Sequence, residues 1–137
     1  MAKFIEIKEK FEERITTNLL SASAINYVFN NEGNAIFCMG NKYIITENDF
    51  NEVYQLLSPY QFSITELNGT TIKVRGVNTQ DKGIKAIINL NNLAYLYGSW
   101  QGELDFIDGT TVESYFSPSG SIESLKLKYK DYILRKK

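Results

Sequence analysis

The sequence predicts an α+β fold of two tandem ββββα units, with antiparallel sheets and one amphipathic helix per unit. Three observations carry this: period-two hydrophobic runs, turn dipeptides between them, and a correspondence between the two halves of the chain. The first two are strongest in residues 86–116. Leu93, Tyr95 and Tyr97 place large side chains two apart, and Leu104 and Phe106 alternate with Glu103, Asp105 and Ile107. Such spacing gives each strand one buried and one wetter face. Asp108-Gly109 is a hairpin signal, because a type I′ turn needs positive φ at both central positions. Thr110, Thr111, Val112, Tyr115 and Phe116 supply the β-branched and aromatic residues of a returning strand.

The halves correspond in blocks. Ile25 and Tyr27 match Leu93 and Tyr95. Gly33, Ala35, Phe37 and Gly40 match Gly102, Leu104, Phe106 and Gly109 at one constant offset. Phe50, Val53 and Leu57 match Ile122, Leu125 and Tyr129, and changes of offset fall in loops, where insertions are tolerated. This divides the chain into a first unit, 1–59, and a second, 60–137, with an inserted polar loop at 76–83. The alternative is one compact domain containing both units.

In chain order, residues 4–15 carry two signals. Phe4, Ile7, Phe11 and Ile15 have helical spacing, whereas Ile5 and Ile7 fit a strand, and the correspondence between halves favours the strand. Residues 15–29 are apolar and β-leaning, residues 30–34 a turn cluster, residues 35–39 a buried strand and Gly40-Asn41 a hairpin turn. After a strand at 42–46, Asn48 or Asp49 caps a helix whose apolar positions are Phe50, Val53, Tyr54 and Leu57, and Ser58-Pro59 ends it. Strands follow at 61–67 and 70–75, joined by Asn68-Gly69. A last helix, capped by Ser121, has Ile122, Leu125, Tyr129, Tyr132 and Ile133 on its apolar face.

Composition narrows the function. The 137 residues carry 15 Lys+Arg and 16 Asp+Glu, so net charge is −1, against the basic footprint of a dedicated nucleic-acid binder. There is no histidine, so the usual base near neutral pH is missing, along with Ser–His and Cys–His nucleophile pairs. No run approaches the length of a spanning helix, and the first residues lack the apolar region of a signal peptide. The lone Cys38, flanked by Phe37 and Met39, excludes an internal disulfide and fits a reducing cytoplasm.

The outline of each unit, with an INLNNLAYL-type strand, an LDFIDGTTV-type hairpin and an amphipathic helix, resembles the small FlbD-type flagellar proteins. The resemblance covers most of both halves through hydrophobic pattern and turn position. It includes no catalytic motif, and the duplication and the 76–83 insertion depart from a single-unit member, so no flagellar role is carried over. The strand–hairpin outline also resembles the first half of LytTR-type DNA-binding domains, without the basic signature of their second half.

Candidate sites follow from residue type. Trp100, in a glycine-flanked loop, reads as an interface anchor or as a cover over the sheet edge. Tyr95 and Tyr97, with Tyr115, Tyr129 and Tyr132, form a stacking platform or ordinary sheet and helix packing. Glu103, Asp105, Asp108 and Glu113 read as a solvated acidic face, or as paired carboxylates for acid–base or metal chemistry. Lys126, Lys128, Lys130, Arg135, Lys136 and Lys137 place cations on the last helix and tail, for phosphate or for the helix C-terminus. The expectation is a cytoplasmic, non-enzymatic binding or adaptor protein, of phage or mobile-element origin. It binds a protein partner or itself through Trp100, Tyr97 and Tyr95, with no cofactor, metal or membrane. The alternatives are a regulatory nucleic-acid binder, through the sheet or the basic C-terminal helix, and a small-ligand-sequestering protein.

Overall fold

Local sequence sets twelve strands and one complete α-helix in the described residues of the computed structural model, which are 2–67, 73–74, 77–78, 84–98, 101–115, 127 and 129–136. β1 (Phe4–Phe11) and β2 (Arg14–Ser21) form a hairpin, with Ile5, Ile7 and Leu20 buried. Phe4, Phe11 and Ile15, which the helical spacing also required, are exposed. The strand signal therefore prevails here, because it buries the two isoleucines on one face. A 3₁₀ turn, Ala22–Ala24, leads to the meander β3 (Tyr27–Asn31), β4 (Asn34–Met39) and β5 (Lys42–Asp49). Glu32 and Gly33 turn β3 into β4 with φ of 52° and 96°, the positive pair that a tight hairpin demands.

The helix α1 (Phe50–Leu57) starts directly from β5. The Asp49 carboxylate caps it, accepting from the Glu52 N–H at 3.0 Å, while the Phe50 N–H donates to Gly33 O at 2.9 Å. Phe50, Val53 and Leu57 are its buried face. A 3₁₀ turn at Ser58–Tyr60 and a left-handed Gln61 (φ 64°) end it. The chain continues through β6 (Phe62–Leu67), β7 (Lys73–Val74), β8 (Val77–Asn78), β9 (Ile84–Asn89), a 3₁₀ turn at Leu90–Asn92, β10 (Leu93–Gly98), β11 (Gln101–Phe106) and β12 (Thr111–Tyr115). β8 pairs with β7 inside the stretch read as an inserted loop.

Seven strands form one antiparallel sheet in the order β2-β1-β5-β4-β3-β9-β6, and β10-β11-β12 form a second. This corrects the expectation of two ββββα units and with it the tandem repeat. In the first half, β1 lies beside β5. In the second, β6 and β9 leave their own half and join the first half's sheet at β3, while β10–β12 stand apart. The strand order thus differs between halves. One helix is complete, where one per unit was expected. Of the apolar face assigned to a last helix, Tyr129 is buried, Tyr132 and Ile133 are exposed, Lys130–Tyr132 is a 3₁₀ turn, and residues 121–126 lie outside the described ones.

The reason is the need to cover β3, β4 and β9. Val28, Ala35, Phe37 and Ile87 face one core, completed by Ile5, Ile7, Leu20 and the buried face of α1. Tyr27, Phe29, Ile36, Cys38, Ala86 and Ile88 face the other, completed by Leu104, Phe106 and Val112 of the second sheet. The arrangement is three layers, with the middle strands dry on both faces. Beyond β5 the sheet ladder is sparse, with Glu9 and Thr46 as its one register pair with β1. The Asn48 side chain takes over as a rung, accepting from the Lys8 N–H at 2.8 Å and donating to Glu6 O at 3.1 Å.

Phe37 and Phe106, matched by sequence, are both fully buried but serve opposite cores. Replacing either by Ala should cost about 3–5 kcal/mol in urea unfolding. A loss below about 1 kcal/mol at both would contradict the two-core arrangement.

Candidate nucleic-acid interface

The chain must step from the middle layer to the outer one between β9 and β10, and it does so through four asparagines and an aspartate. Asn26 and Asn89 are 2% and 1% exposed, so their amides require partners. The Asn89 side chain donates to Ile25 O at 2.8 Å and accepts from the Asn91 N–H at 3.0 Å. Its own N–H donates to Asn26 O at 2.9 Å. The Asn92 amide donates to Ser23 O (2.8 Å) and Ile25 O (3.2 Å), while the Ile107 N–H donates to Asn92 O at 2.8 Å. The Asn26 amide donates to Asp108 Oδ2 at 2.8 Å, and the Thr110 N–H to Asp108 Oδ1 at 2.9 Å. Together these tie the turn before β3, the crossing before β10 and the β11–β12 hairpin into one end of the molecule. The Asn26 hydrogen bond, above all, holds the Asp108 carboxyl below the ordinary value of 3.8.

Beneath this end lies a phenol–thiol cluster. The Tyr27 and Tyr43 hydroxyls share a hydrogen bond of 2.9 Å, Tyr27 stacks on Phe106 at 5.9 Å, and the Cys38 thiol donates to Gly40 O at 3.5 Å. Burial raises both phenols and pushes the thiol up to about 11. Cys38 is therefore a protonated core side chain near neutral pH, a poor nucleophile.

The C-terminal segment docks at the same end. Tyr129 is buried against Leu90 and Leu96. Beyond it Lys130, Tyr132, Arg135 and Lys136 are exposed, as is Leu134. Charge is strongly partitioned. Residues 121–137 carry six cations against Glu123 and Asp131, a net +4, which leaves −5 on the rest of a chain whose total is −1. Among the described residues of this segment, Tyr129 is the buried one.

Trp100 lies outside the described residues. Tyr97 occupies β10 opposite Glu103, with its side chain outside them as well. Tyr95 is 57% exposed, and a register shift between Leu93 and Tyr95 explains why. The bulge moves the inward positions to Leu93 and Leu96, so Leu93 and Tyr95 do not share the single face that strict alternation implied. Glu103 and Asp105 sit half-exposed on β11, and among the described residues no three metal-ligating side chains converge. Among the same residues no helix is long and apolar enough to cross a membrane. Lys126, Lys128 and Lys137 lie outside the described residues. The asparagine clamp was missed, although the density of Asn in INLNNL beside a strand end was its available signal.

No protein-family profile matches the chain, and no curated protein sequence does. Among solved structures, a chain from Bacillus cereus described as a LytTr DNA-binding domain is similar with a TM-score of 0.53 and 13% identity, over 96% of this chain and 97% of that one. At that identity the likeness establishes the fold. Its near-complete coverage of a single domain agrees with the corrected strand order against a tandem repeat, and it lends no support to a phage origin or to self-association.

Removing a clamp amide leaves buried backbone groups short of partners. Asn89→Ala should cost about 2–3 kcal/mol, whereas Asn91→Ala, at an exposed position, should cost less than about 1 kcal/mol. Equal losses in thermal unfolding would remove Asn89 from the clamp. The Asp108 carboxyl, lower in the folded than in the unfolded chain, stabilises fully above the ordinary value of 3.8 and loses that contribution as pH falls through its folded value. Asp108→Asn should flatten this acid-side decline in a pH series of melting temperatures. An unchanged decline would mean that other carboxylates account for it.

Proposed function

We propose that the protein is a regulatory nucleic-acid-binding protein that acts without catalysis and grips the phosphate backbone with its C-terminal cationic segment. The observation that carries the reading is the charge partition. The acidic remainder of the chain repels a polyanion, and Lys130, Arg135 and Lys136 of the +4 segment stand exposed beyond the buried Tyr129. Phosphate contacts supply most of the affinity of such complexes, and each releases counterions. The fold likeness to a chain described as DNA-binding supports the same reading. It ranks this alternative above the adaptor role that composition favoured. Lack of catalysis is supported by the absence of histidine anywhere in the chain.

The test is fluorescence anisotropy with a labelled duplex across a salt series from about 50 to 200 mM. Binding should weaken steeply with salt. The triple variant Lys130→Gln, Arg135→Gln, Lys136→Gln should reduce the log–log slope by about 2–3, close to one per cation removed. No binding at the lowest salt, or a slope indifferent to the triple change, would sink the proposal.

A further inference from the structure

A cleft of ≈ 300 Å³ opens where the start of β1 meets the C-terminal turn of α1 and the 3₁₀ turn at Ser58–Tyr60. Its floor, Ala22 and Leu57, is buried. Its walls, Phe4, Leu56 and Tyr60, are 60%, 60% and 43% exposed. Three large apolar side chains thus stand wet around one concavity, and an apolar ligand body would take that surface out of water. The volume is at the lower end for small-molecule sites and equals about ten water-sized atoms, too little for a partner helix. Two charges reach the rim. The Lys3 ammonium stands 5.5 Å from the Tyr60 ring centroid, directly over one wall. Glu6 lies further along β1, across from Leu19. A molecule stacked on Tyr60 therefore meets the cation first.

We propose that this cleft binds a small amphipathic carboxylate, its apolar body against Phe4, Leu56 and Tyr60 and its anionic head at Lys3, and that occupancy is transmitted to the C-terminal cationic segment. The second half rests on the nucleic-acid-binding reading above. The route is contiguous. The Asn91 side chain donates to Tyr60 O at 3.0 Å, the Leu90 N–H donates to Gln61 O at 3.1 Å, and Leu90 packs on Tyr129, the anchor of that segment. A shift of the Ser58–Tyr60 turn around a ligand bears on Tyr129 through two hydrogen bonds and one packing contact.

Octanoate, with about ten non-hydrogen atoms, is a suitable probe. Titrated into ¹⁵N-labelled full-length protein, it should shift the amides of Phe4, Ala22, Leu57 and Tyr60. Octylammonium, with the same tail and the opposite charge, should bind at least about threefold more weakly, and Lys3→Gln should weaken octanoate about threefold, as expected for one exposed ion pair. Leu56→Gln, at a helix position that is mostly exposed, should weaken it by about the same factor without changing the fold. Saturating octanoate should change duplex affinity about threefold or more. Shifts that are absent or lie elsewhere, or equal binding of octylammonium, would overturn the site. Amide shifts with unchanged duplex affinity would overturn the transmission. Failure to bind duplex with or without octanoate would overturn the nucleic-acid reading and the transmission, while the amide shifts would still decide the cleft.

Discussion

Strands β3, β4 and β9 are dry on both faces, and this constraint governs where the rest of the chain can go. An antiparallel sheet with one apolar face needs one cover, but residues such as Ile36, Phe37 and Cys38 in immediate succession need two. The helix α1 and the β1–β2 hairpin supply the first cover, and β10–β12 the second. The hairpin achieves this from within the same sheet by swinging round beyond β5. There the backbone ladder is reduced, and Asn48 bonds to β1 in its place.

A sheet covered on both sides forces the chain to pass between layers, and each passage carries backbone groups away from their ladder. Buried polar groups without partners are costly. The passages at Ala22–Ala24 and Leu90–Asn92 lie side by side, and Asn89 and Asn92 of the second donate to the Ser23 and Ile25 carbonyls of the first. The β11–β12 hairpin joins them through Asp108. Sharing of this kind gathers several turns at one end of the molecule, and rigid clustered turns are where recognition surfaces arise. Lys130, which follows Tyr129 directly, is brought to that end because Leu90, a residue of the crossing itself, is one of the two residues that Tyr129 packs on.

A near-neutral total charge conceals this asymmetry. Net charge describes the whole surface, while a polyanion responds to the local field within a screening length of about 10 Å. A chain at −1 can therefore hold a segment at +4, because the other 120 residues sum to −5.

Much of the local structure was legible in residue order. The strands at 35–39 and 42–46, the Asp49-capped helix with its Phe50, Val53 and Leu57 face, the Gly33 turn and the burial of Phe37 and Phe106 all follow from preferences that neighbouring residues settle among themselves, whereas the Asp108-Gly109 turn formed with positive φ at Gly109 alone, not the type I′ pair expected of it. Pairing order did not follow. The blocks that matched between halves reported similar turns, and similar turns do not make Tyr27 choose Ile88 as its neighbour. That choice went to whichever arrangement covered both faces of β3, β4 and β9, a free energy of the assembled layers that no short window contains. The same holds for Tyr95, turned outward by a bulge, and for Asn26, Asn89 and Asn92. Residue order makes these asparagines loop residues, and they became a clamp only when two crossings were brought side by side.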